Sequence, residues 1–195
     1  MMTNSVYILD ENYQNTDFSK LPLSKGEYEN CSFQNCNFEY ADLTEIKFTE
    51  CDFVECNLSM AVLRGTAFRN AVFKGCKMIG LSFSECNEFG LSFRFSDCTL
   101  NNSTFYKTIL KKIYFTNSKL VEVDFTSCDL SNSVITNCDL SGAIFENTIL
   151  EKVDFRESYN YTINPEINKL KKAKFSLSSV DGLLRKYTIE IDRNS

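Results

Sequence analysis

Cysteine is the residue type with the widest chemical repertoire in this sequence, because a thiolate can bind a metal, form a disulfide or act as a nucleophile. The 195-residue chain has nine cysteines and no histidine, so Ser-His-Asp and Cys-His catalytic arrangements are excluded. No two cysteines have the Cys-x-x-Cys spacing of a zinc site, and phosphate-binding loops of the GxxxxGK(S/T) or GxGxxG type are absent. The sequence therefore predicts a protein that is not an enzyme and that holds no metal or cofactor.

The spacing of the cysteines indicates packing rather than chemistry. Cys31, Cys36 and Cys51 each precede a phenylalanine by two residues, and Cys56 precedes Leu58 in the same way. Metal binding or redox chemistry is the alternative, but a strict packing position favours cysteine as a small apolar filler beside aromatic rings. The chain begins without a basic stretch followed by an apolar one, which predicts a cytoplasmic location with reduced thiols.

A period of five residues positions these cysteines. Steps of five in both directions from Phe33 meet a large apolar residue each time, and a second run with the same period follows a short break. The first run comprises Tyr13, Phe18, Leu23, Tyr28, Phe33, Phe38, Leu43, Phe48, Phe53, Leu58, Leu63, Phe68, Phe73, Met78 and Phe83. The second run comprises Phe95, Leu100, Phe105, Leu110, Phe115, Leu120, Phe125, Leu130, Ile135, Leu140, Phe145, Leu150 and Phe155. A chain that is 43% hydrophobic does not produce this regularity by chance.

A second, smaller residue lies two positions before most of these centres. Positions i−2 and i share one face of an extended segment, so both point inward, and the polar residue between them points outward. The two residues after each centre are mostly polar and suit a turn. Each five-residue unit is therefore one side and one corner, and four units close a square coil whose turns stack at about 4.8 Å.

The segments "ADLTE", "CNFEY", "CDLSN" and "CDLSG" follow the pattern (A/C/S/T)(D/N)(L/F)xx, which resembles the pentapeptide-repeat family. The resemblance implies an all-β solenoid, a right-handed quadrilateral β-helix of about seven to eight coils with a short C-terminal helix and strand. We expect the β-helix to span residues 13–175, with residues 1–12 as an N-terminal cap or strand. Residues 176–195 are expected to form a capping or dimerisation tail.

The repeat breaks once, near residues 86–92. From Phe83 to Phe95 is twelve residues, where two repeats need ten, and Glu88 falls where a core residue is due. We expect a bulge or bent corner that restores the phase of the coils, in which Gly90 permits unusual dihedral angles. A protrusion that touches a partner is the alternative.

The tail is expected to cover the apolar end of the coil. Asp181 suits the cap of a short helix over residues 182–187, and residues 188–192 alternate like a strand. The residues that fit this purpose are Leu183, Leu184, Tyr187, Ile189 and Ile191. They cap their own coil or pair with a second copy. The resemblance to quinolone-resistance (Qnr-type) members implies two rods joined end to end, so we expect a homodimer.

Acidic residues concentrate in the first third of the chain. Between Asp10 and Glu55 there are eleven acidic residues and three lysines, a net charge of −8, and the whole chain has −5. This surface disfavours direct binding to nucleic acid or anionic membranes and favours a basic partner. Ordinary solvated corners are one interpretation, and a negative ridge that meets a basic protein is the other. The candidate partner-contact residues are Glu27, Glu29, Glu39, Asp42, Glu45, Glu50, Asp52 and Glu55.

The resemblance to Qnr-type members also implies a target, the DNA-binding saddle of the type II topoisomerases DNA gyrase and topoisomerase IV. A rod as wide as duplex DNA with acids on its surface would imitate DNA, and would modulate the enzyme or protect it from quinolones. Several members carry longer projecting loops, whereas this chain has two extra residues near 86–92, so it resembles the members without loops. The second hypothesis is a structural or interaction scaffold for a different protein partner.

Overall fold

The computed structural model describes residues 5–192, so the ends of the two predicted terminal segments, residues 1–4 and 193–195, lie outside it. Most regular structure consists of strands of three or four residues, because each strand occupies one side of the coil between two corners. The strands are β1 (Val6–Leu9), β2 (Asn12–Gln14), β3 (Gly26–Glu29), β4 (Ser32–Gln34), β5 (Lys47–Thr49), β6 (Asp52–Val54), β7 (Ala67–Arg69), β8 (Ala71–Lys74), β9 (Phe93–Ser96), β10 (Tyr114–Thr116) and β11 (Val134–Thr136). Short 3₁₀ helices lie at Phe83–Glu85, Leu177–Leu183 and Arg185–Tyr187.

The strands form two parallel sheets in which each strand pairs with the strand one coil away. One sheet has the order β1-β3-β5-β7, and the other runs β2-β4-β6-β8-β9-β10-β11. The register joins residues twenty positions apart, as Phe33 joins Phe53, and isolated parallel bridges such as Asn37 to Asn57 continue the stacking on the remaining sides. The predicted solenoid with a five-residue period is therefore confirmed.

We name the four sides of the coil after their columns of inward side chains. Side A carries Tyr13, Phe33, Phe53, Phe73, Phe95, Phe115, Ile135, Phe155 and Phe175. Side B carries Phe18, Phe38, Leu58, Met78, Leu100, Leu120 and Leu140. Side C carries Leu43, Leu63, Phe83, Phe105, Phe125 and Phe145. Side D carries Ile8, Tyr28, Phe48, Phe68, Leu110, Leu130, Leu150 and Leu170.

Aromatic rings stack along the columns and meet edge to face across them. The rings of Phe33 and Phe53 are 4.9 Å apart with an interplanar angle of 10°, and those of Phe48 and Phe53 are 5.3 Å apart at 77°. Both arrangements are favourable for aromatic pairs and add to the large area that each ring buries. The predicted centres from Tyr28 to Phe155 are all buried. Centres at the two ends, such as Leu23 and Leu170, are only partly buried, since within residues 5–192 each has a neighbouring strand position of the coil on one side only.

The predicted break at residues 86–92 is a bulge that makes one coil two residues longer. Phe73 on one side of it pairs with Phe95 on the other, a step of 22 residues. Glu88 and Phe89 both point outward, and Phe89 is 79% exposed. Phe93 turns inward instead, with its ring 5.5 Å from that of Phe68 and 5.3 Å from that of Phe83. A large residue at a normally small position therefore fills the space that Glu88 leaves empty on side D.

The tail differs from its predicted secondary structure. The 3₁₀ helix begins at Leu177, five residues before the predicted helix start at residue 182, and Asp181 lies inside it. Its N-cap, Ser176, makes no side-chain capping hydrogen bond. The predicted strand over residues 188–192 is absent from the single chain, because in the described part of the chain these residues pair with no neighbouring strand. Period-two alternation alone does not form a strand without such a partner.

Candidate protein-interaction surface

Each corner of the coil turns through one residue in the left-handed conformation, two positions after the inward centre. Positive φ at these positions occurs mainly at asparagine, aspartate and glycine, which tolerate this conformation best. The Asp or Asn of the repeat motif supports the same corner, because its side chain accepts the amide N–H two residues later. The Thr44 amide, for example, donates to the Asp42 carboxylate at 2.9 Å. The left-handed residue and the Asp or Asn of the motif therefore together determine the geometry of each corner.

Five consecutive corners, one full turn of the coil and the first corner of the next, carry residues that suit this conformation poorly. They are Tyr40, Glu45, Glu50, Glu55 and Met60, with φ between 52° and 62°. The equivalent corners of the next coil are Gly65, Asn70, Gly75 and Gly80. The apolar members of this set were missed by the sequence reasoning, although an apolar residue two positions after a centre was a visible departure from the polar corner pattern.

The glycines of the second coil provide room for side chains of the first. A Cβ at Gly75 would overlap the carboxylate of Glu55, and a Cβ at Gly80 would overlap the sulfur of Met60. Both side chains therefore lie along the rod, across the glycine of the next coil. Glycine at these two positions therefore leaves room for Glu55 and Met60 to extend along the rod.

The eight predicted contact acids, which we call the acidic belt, surround the rod instead of gathering on one side. Three of them interact with other side chains. Glu27 pairs with Lys47 at 3.5 Å, Asp42 pairs with Lys25 at 3.7 Å, and Glu29 accepts a hydrogen bond from the Tyr7 hydroxyl at 2.7 Å. The other five form no ion pair within residues 5–192: Glu39, Glu45, Glu50, Asp52 and Glu55. These five form the unneutralised part of the acidic belt.

Side D and its corners reverse their charge along the rod. Near the N-terminal end they carry Glu27, Glu29 and Glu50. Near the C-terminal end they carry exposed lysines at positions 107, 111, 112, 152, 169, 171 and 172. Of these, Lys111 pairs with Asp129 at 3.2 Å. On this side of the rod, acids therefore predominate near the N-terminal end and lysines predominate near the C-terminal end, where Glu146 and Glu151 are also present.

All nine cysteine thiols are free and buried. Cys51 donates to the Tyr28 carbonyl of the previous coil at 3.3 Å, and Cys56 donates to the Phe33 carbonyl at 3.2 Å. Burial raises the pKa of Cys51 and of Cys128 to about 12, so both are protonated at neutral pH. Among residues 5–192, no three His, Cys, Asp or Glu side chains lie close enough together to hold a metal ion.

The predicted tail residues divide into two groups. Leu183 packs against the core and covers its own coil. Leu184 and Ile191 line a mainly apolar cleft of about 680 Å³ together with Leu177 and Val180, and Ser178, Asp181 and Asp192 complete its lining. Tyr187 and Ile189 are 47% and 56% exposed. Because Leu177 is itself 90% exposed, the end of the rod presents an apolar surface beyond what its own cap covers.

Comparisons with known proteins agree with this geometry. A family model described as a pentapeptide repeat region matches residues 26–94, 46–125 and 90–160. No helix within residues 5–192 has the length and apolar character needed to cross a membrane, and no curated protein matches the chain significantly.

Among solved structures, full-length QnrB1, described as a plasmid-mediated fluoroquinolone resistance protein, aligns with a TM-score of 0.63 at 17% identity. The alignment covers 94% of this chain and 100% of QnrB1. HetL from the cyanobacterium Nostoc sp. strain PCC 7120, described as involved in heterocyst differentiation regulation, aligns with a TM-score of 0.40 at 18% identity, over 88% and 89% of the two chains. At 17% identity, the alignment with QnrB1 shows a shared fold.

Proposed function

The chain belongs to the pentapeptide-repeat family, and from this premise we propose that it is a non-enzymatic protein that binds another protein through the outer surface of its β-helix. The interior of the coil is filled with aromatic and aliphatic side chains, and the thiols are buried among them. The outer surface is therefore the part of the molecule available for function.

The observation that carries the proposal is the unneutralised part of the acidic belt. Glu45, Glu50 and Glu55 occupy corners where asparagine or glycine would be more stable, and no basic side chain within residues 5–192 pairs with them. Glu122 and Glu157 have a similar backbone conformation, but only here do five carboxylates that form no ion pair within residues 5–192 lie together, at residues 39–55, and this concentration of negative charge supports a role in binding. Carboxylates held on a stiff rod complement a basic protein surface and accelerate association with it.

We propose that this basic surface is the DNA-binding saddle of a type II topoisomerase, DNA gyrase or topoisomerase IV. A side of five residues at about 3.3 Å each is about 16 Å long before side chains are added, which is comparable to the width of duplex DNA. Carboxylates along such a rod would occupy the places of phosphates. The shared fold with the fluoroquinolone resistance protein QnrB1 supports testing modulation of the enzyme and its protection from quinolones.

A scaffold for a different protein partner is the second candidate. The bulge at residues 86–92 favours it, because it adds only two residues and exposes Phe89, whereas several Qnr-type members carry longer projecting loops. Protection from quinolones and binding to the topoisomerase are therefore separate questions, and the experiment must measure both.

A gyrase supercoiling assay with and without ciprofloxacin tests the proposal. We expect the purified protein to inhibit supercoiling at high concentration or to restore it in the presence of the drug. The triple variant Glu45→Asn, Glu50→Asn and Glu55→Asn removes three charges and keeps a residue suited to each corner. Because electrostatic attraction is lost, its apparent affinity for gyrase should fall about fivefold to tenfold.

The matched control is the double variant Glu122→Asn and Glu157→Asn. It makes the same substitution at exposed left-handed corners, with φ of 56° and 66°, outside the acidic belt. Its activity in the assay should equal that of the unmodified protein. If the unmodified protein has no effect on either topoisomerase, the topoisomerase proposal is wrong and the scaffold hypothesis remains. If both variants lose the same affinity for gyrase, the acidic belt has no specific role in binding.

We also propose that the protein is a homodimer joined through its tail. Leu177, Leu184 and Ile191 line the apolar cleft at the end of the rod, and Tyr187 and Ile189 extend the same apolar surface. An exposed apolar end of a solenoid requires a cover, and a second copy would supply one.

A further inference from the structure

An apolar group of side chains lies on the edge between sides B and C, within the acidic belt. We call Tyr40, Met60 and Val62 the apolar ridge; their side chains are 70%, 47% and 44% exposed. The Tyr40 amide donates to the Ser59 carbonyl, which places Tyr40 one coil before Met60, and Val62 forms a parallel bridge with Asp42. The three residues are therefore neighbours on two adjacent coils.

The fold gains little from the apolar ridge. Tyr40 and Met60 have φ of 57° and 59°, and among the positive-φ residues within residues 5–192 these two alone carry large apolar side chains. Asparagine or glycine would hold the same corners at lower conformational cost. Single exposed apolar residues are normal on protein surfaces. Here, however, Tyr40 and Met60 each combine an unfavourable backbone conformation with an exposed apolar side chain, and their corners are stacked on adjacent coils.

The next coil leaves room for the ridge. The sulfur of Met60 lies over Gly80, where any Cβ would displace it. Met60 is therefore directed along the rod beside Val62, while Tyr40 projects further into solvent. An exposed tyrosine one coil away from an exposed methionine is the type of group that anchors protein interfaces.

The charges around the ridge indicate which kind of partner it fits. Glu39 precedes Tyr40 in the same corner and forms no ion pair within residues 5–192. Asp42, which pairs with Lys25 at 3.7 Å, lies beside Val62. A second copy that packed its own ridge against this one would bring these carboxylates close to their own equivalents. Like-charge contacts oppose such pairing, so the rim favours a basic protein with an apolar depression.

We propose that the B–C edge of the N-terminal coils, between residues 37 and 64, faces the partner, with the apolar ridge as its anchor and Glu39 and Asp42 as its acidic rim. This inference rests on the proposed function, because it takes the basic surface of the topoisomerase as the partner. It adds that recognition is not purely electrostatic. A rod that only imitated phosphates would lose its affinity with salt, whereas contacts of the ridge persist at high ionic strength.

Binding to immobilised DNA gyrase at low and high salt tests the inference. The double variant Tyr40→Asn and Met60→Asn introduces residues suited to left-handed corners, so its thermal midpoint should equal or exceed that of the unmodified protein. Its dissociation constant for gyrase should nevertheless rise about tenfold. The effect should persist at high salt, where the charge contribution is screened.

The control Tyr159→Asn removes an equally aromatic, 45% exposed side chain from side B near the other end of the rod, at a repeat position where Asp and Asn are common. It should bind gyrase as the unmodified protein does. If the unmodified protein binds and the double variant binds equally well, the ridge is not the anchor, and the proposed function stands. If the unmodified protein does not bind gyrase at all, both the proposed function and this inference fall.

Discussion

Glu50 illustrates how the residue at a single corner affects both the stability of the coil and the charge of its surface. Its backbone is left-handed, with φ of 54°, while Asn132 occupies an equivalent corner between sides D and A with φ of 62°. Asparagine visits this conformation at lower cost than glutamate because its short side chain can hydrogen-bond locally. The same corner therefore either stabilises the coil or displays a charge at some expense of stability.

Exchanging the residues at these two corners should have opposite effects. We expect Glu50→Asn to raise the free energy of unfolding by about 0.5 to 1 kcal/mol, and Asn132→Glu to lower it by a similar amount. Urea denaturation followed by circular dichroism measures both. Glu146→Asn, an exposed residue one position before the left-handed corner at Asn147, separates the backbone effect from the charge effect and should change stability little. A gain in Glu146→Asn equal to that in Glu50→Asn would contradict the conformational explanation.

At this scale the inward residues were predictable and the outward ones only in part. The five-residue period identifies residues such as Phe53 and Cys56 as core, because their burial depends on the strand pattern alone. The positions of the eight candidate acids around the rod also follow from the period. The ion pair between Asp42 and Lys25 joins residues seventeen positions apart and depends on side-chain rotamers, which the repeat does not determine.

At the scale of the elements, the bulge at residues 86–92 is where local sequence and tertiary packing disagree. The repeat predicts a core residue at Glu88, but an unpaired carboxylate has no favourable place in an aromatic core. The chain leaves the coil for several residues and returns with Phe93, whose ring contacts Phe68, Phe83 and Phe95. Periodicity located the break, but it did not reveal that Phe93 fills the gap, because position i−2 is usually small.

Two phenylalanines in this region should differ sharply in their contribution to stability. Phe93 is 3% exposed and Phe89 is 79% exposed. We expect Phe93→Ala to lower the free energy of unfolding by about 3 to 4 kcal/mol, because it opens a cavity in the core. Phe89→Ala loses only the contact with Arg69, whose guanidinium carbon is 5.7 Å from the ring centre, and should cost about 1 kcal/mol or less. Denaturant unfolding of both variants measures the difference, and similar losses would refute the assignment of Phe93 to the core.

For the molecule as a whole, the end of the rod decides the state of association. Leu183 belongs to the cap of its own coil, whereas Leu184 and Ile191 line the apolar cleft. The sequence identified these residues as an apolar set but could not assign them to one purpose, since alternation and hydrophobicity are the same for a cap and for an interface. Secondary structure in the tail was hard to predict for the same reason, because a strand there depends on a partner.

Removal of the tail tests the dimer. We expect the mass of the full chain, measured by light scattering, to be twice that of the monomer of 22.4 kDa. The double variant Leu184→Ser and Ile191→Ser should be monomeric with its coil intact, because neither side chain belongs to the core. Deletion of residues 180–195 should also abolish the dimer, although loss of Leu183 uncovers the last coil. An unchanged dimeric mass in both variants, or a monomeric full chain, would contradict the proposal.

The register of twenty residues per turn has a consequence for how such a molecule changes in evolution. Each coil contacts only the coil before it and the coil after it, so a duplicated block of twenty residues can be inserted without repacking the rest. One added block would lengthen the rod by about 4.8 Å and leave every corner in its original direction. The spacing between the acidic belt and the C-terminal end can therefore be adjusted in fixed increments, as on a ruler, while the chemistry of each side is inherited unchanged.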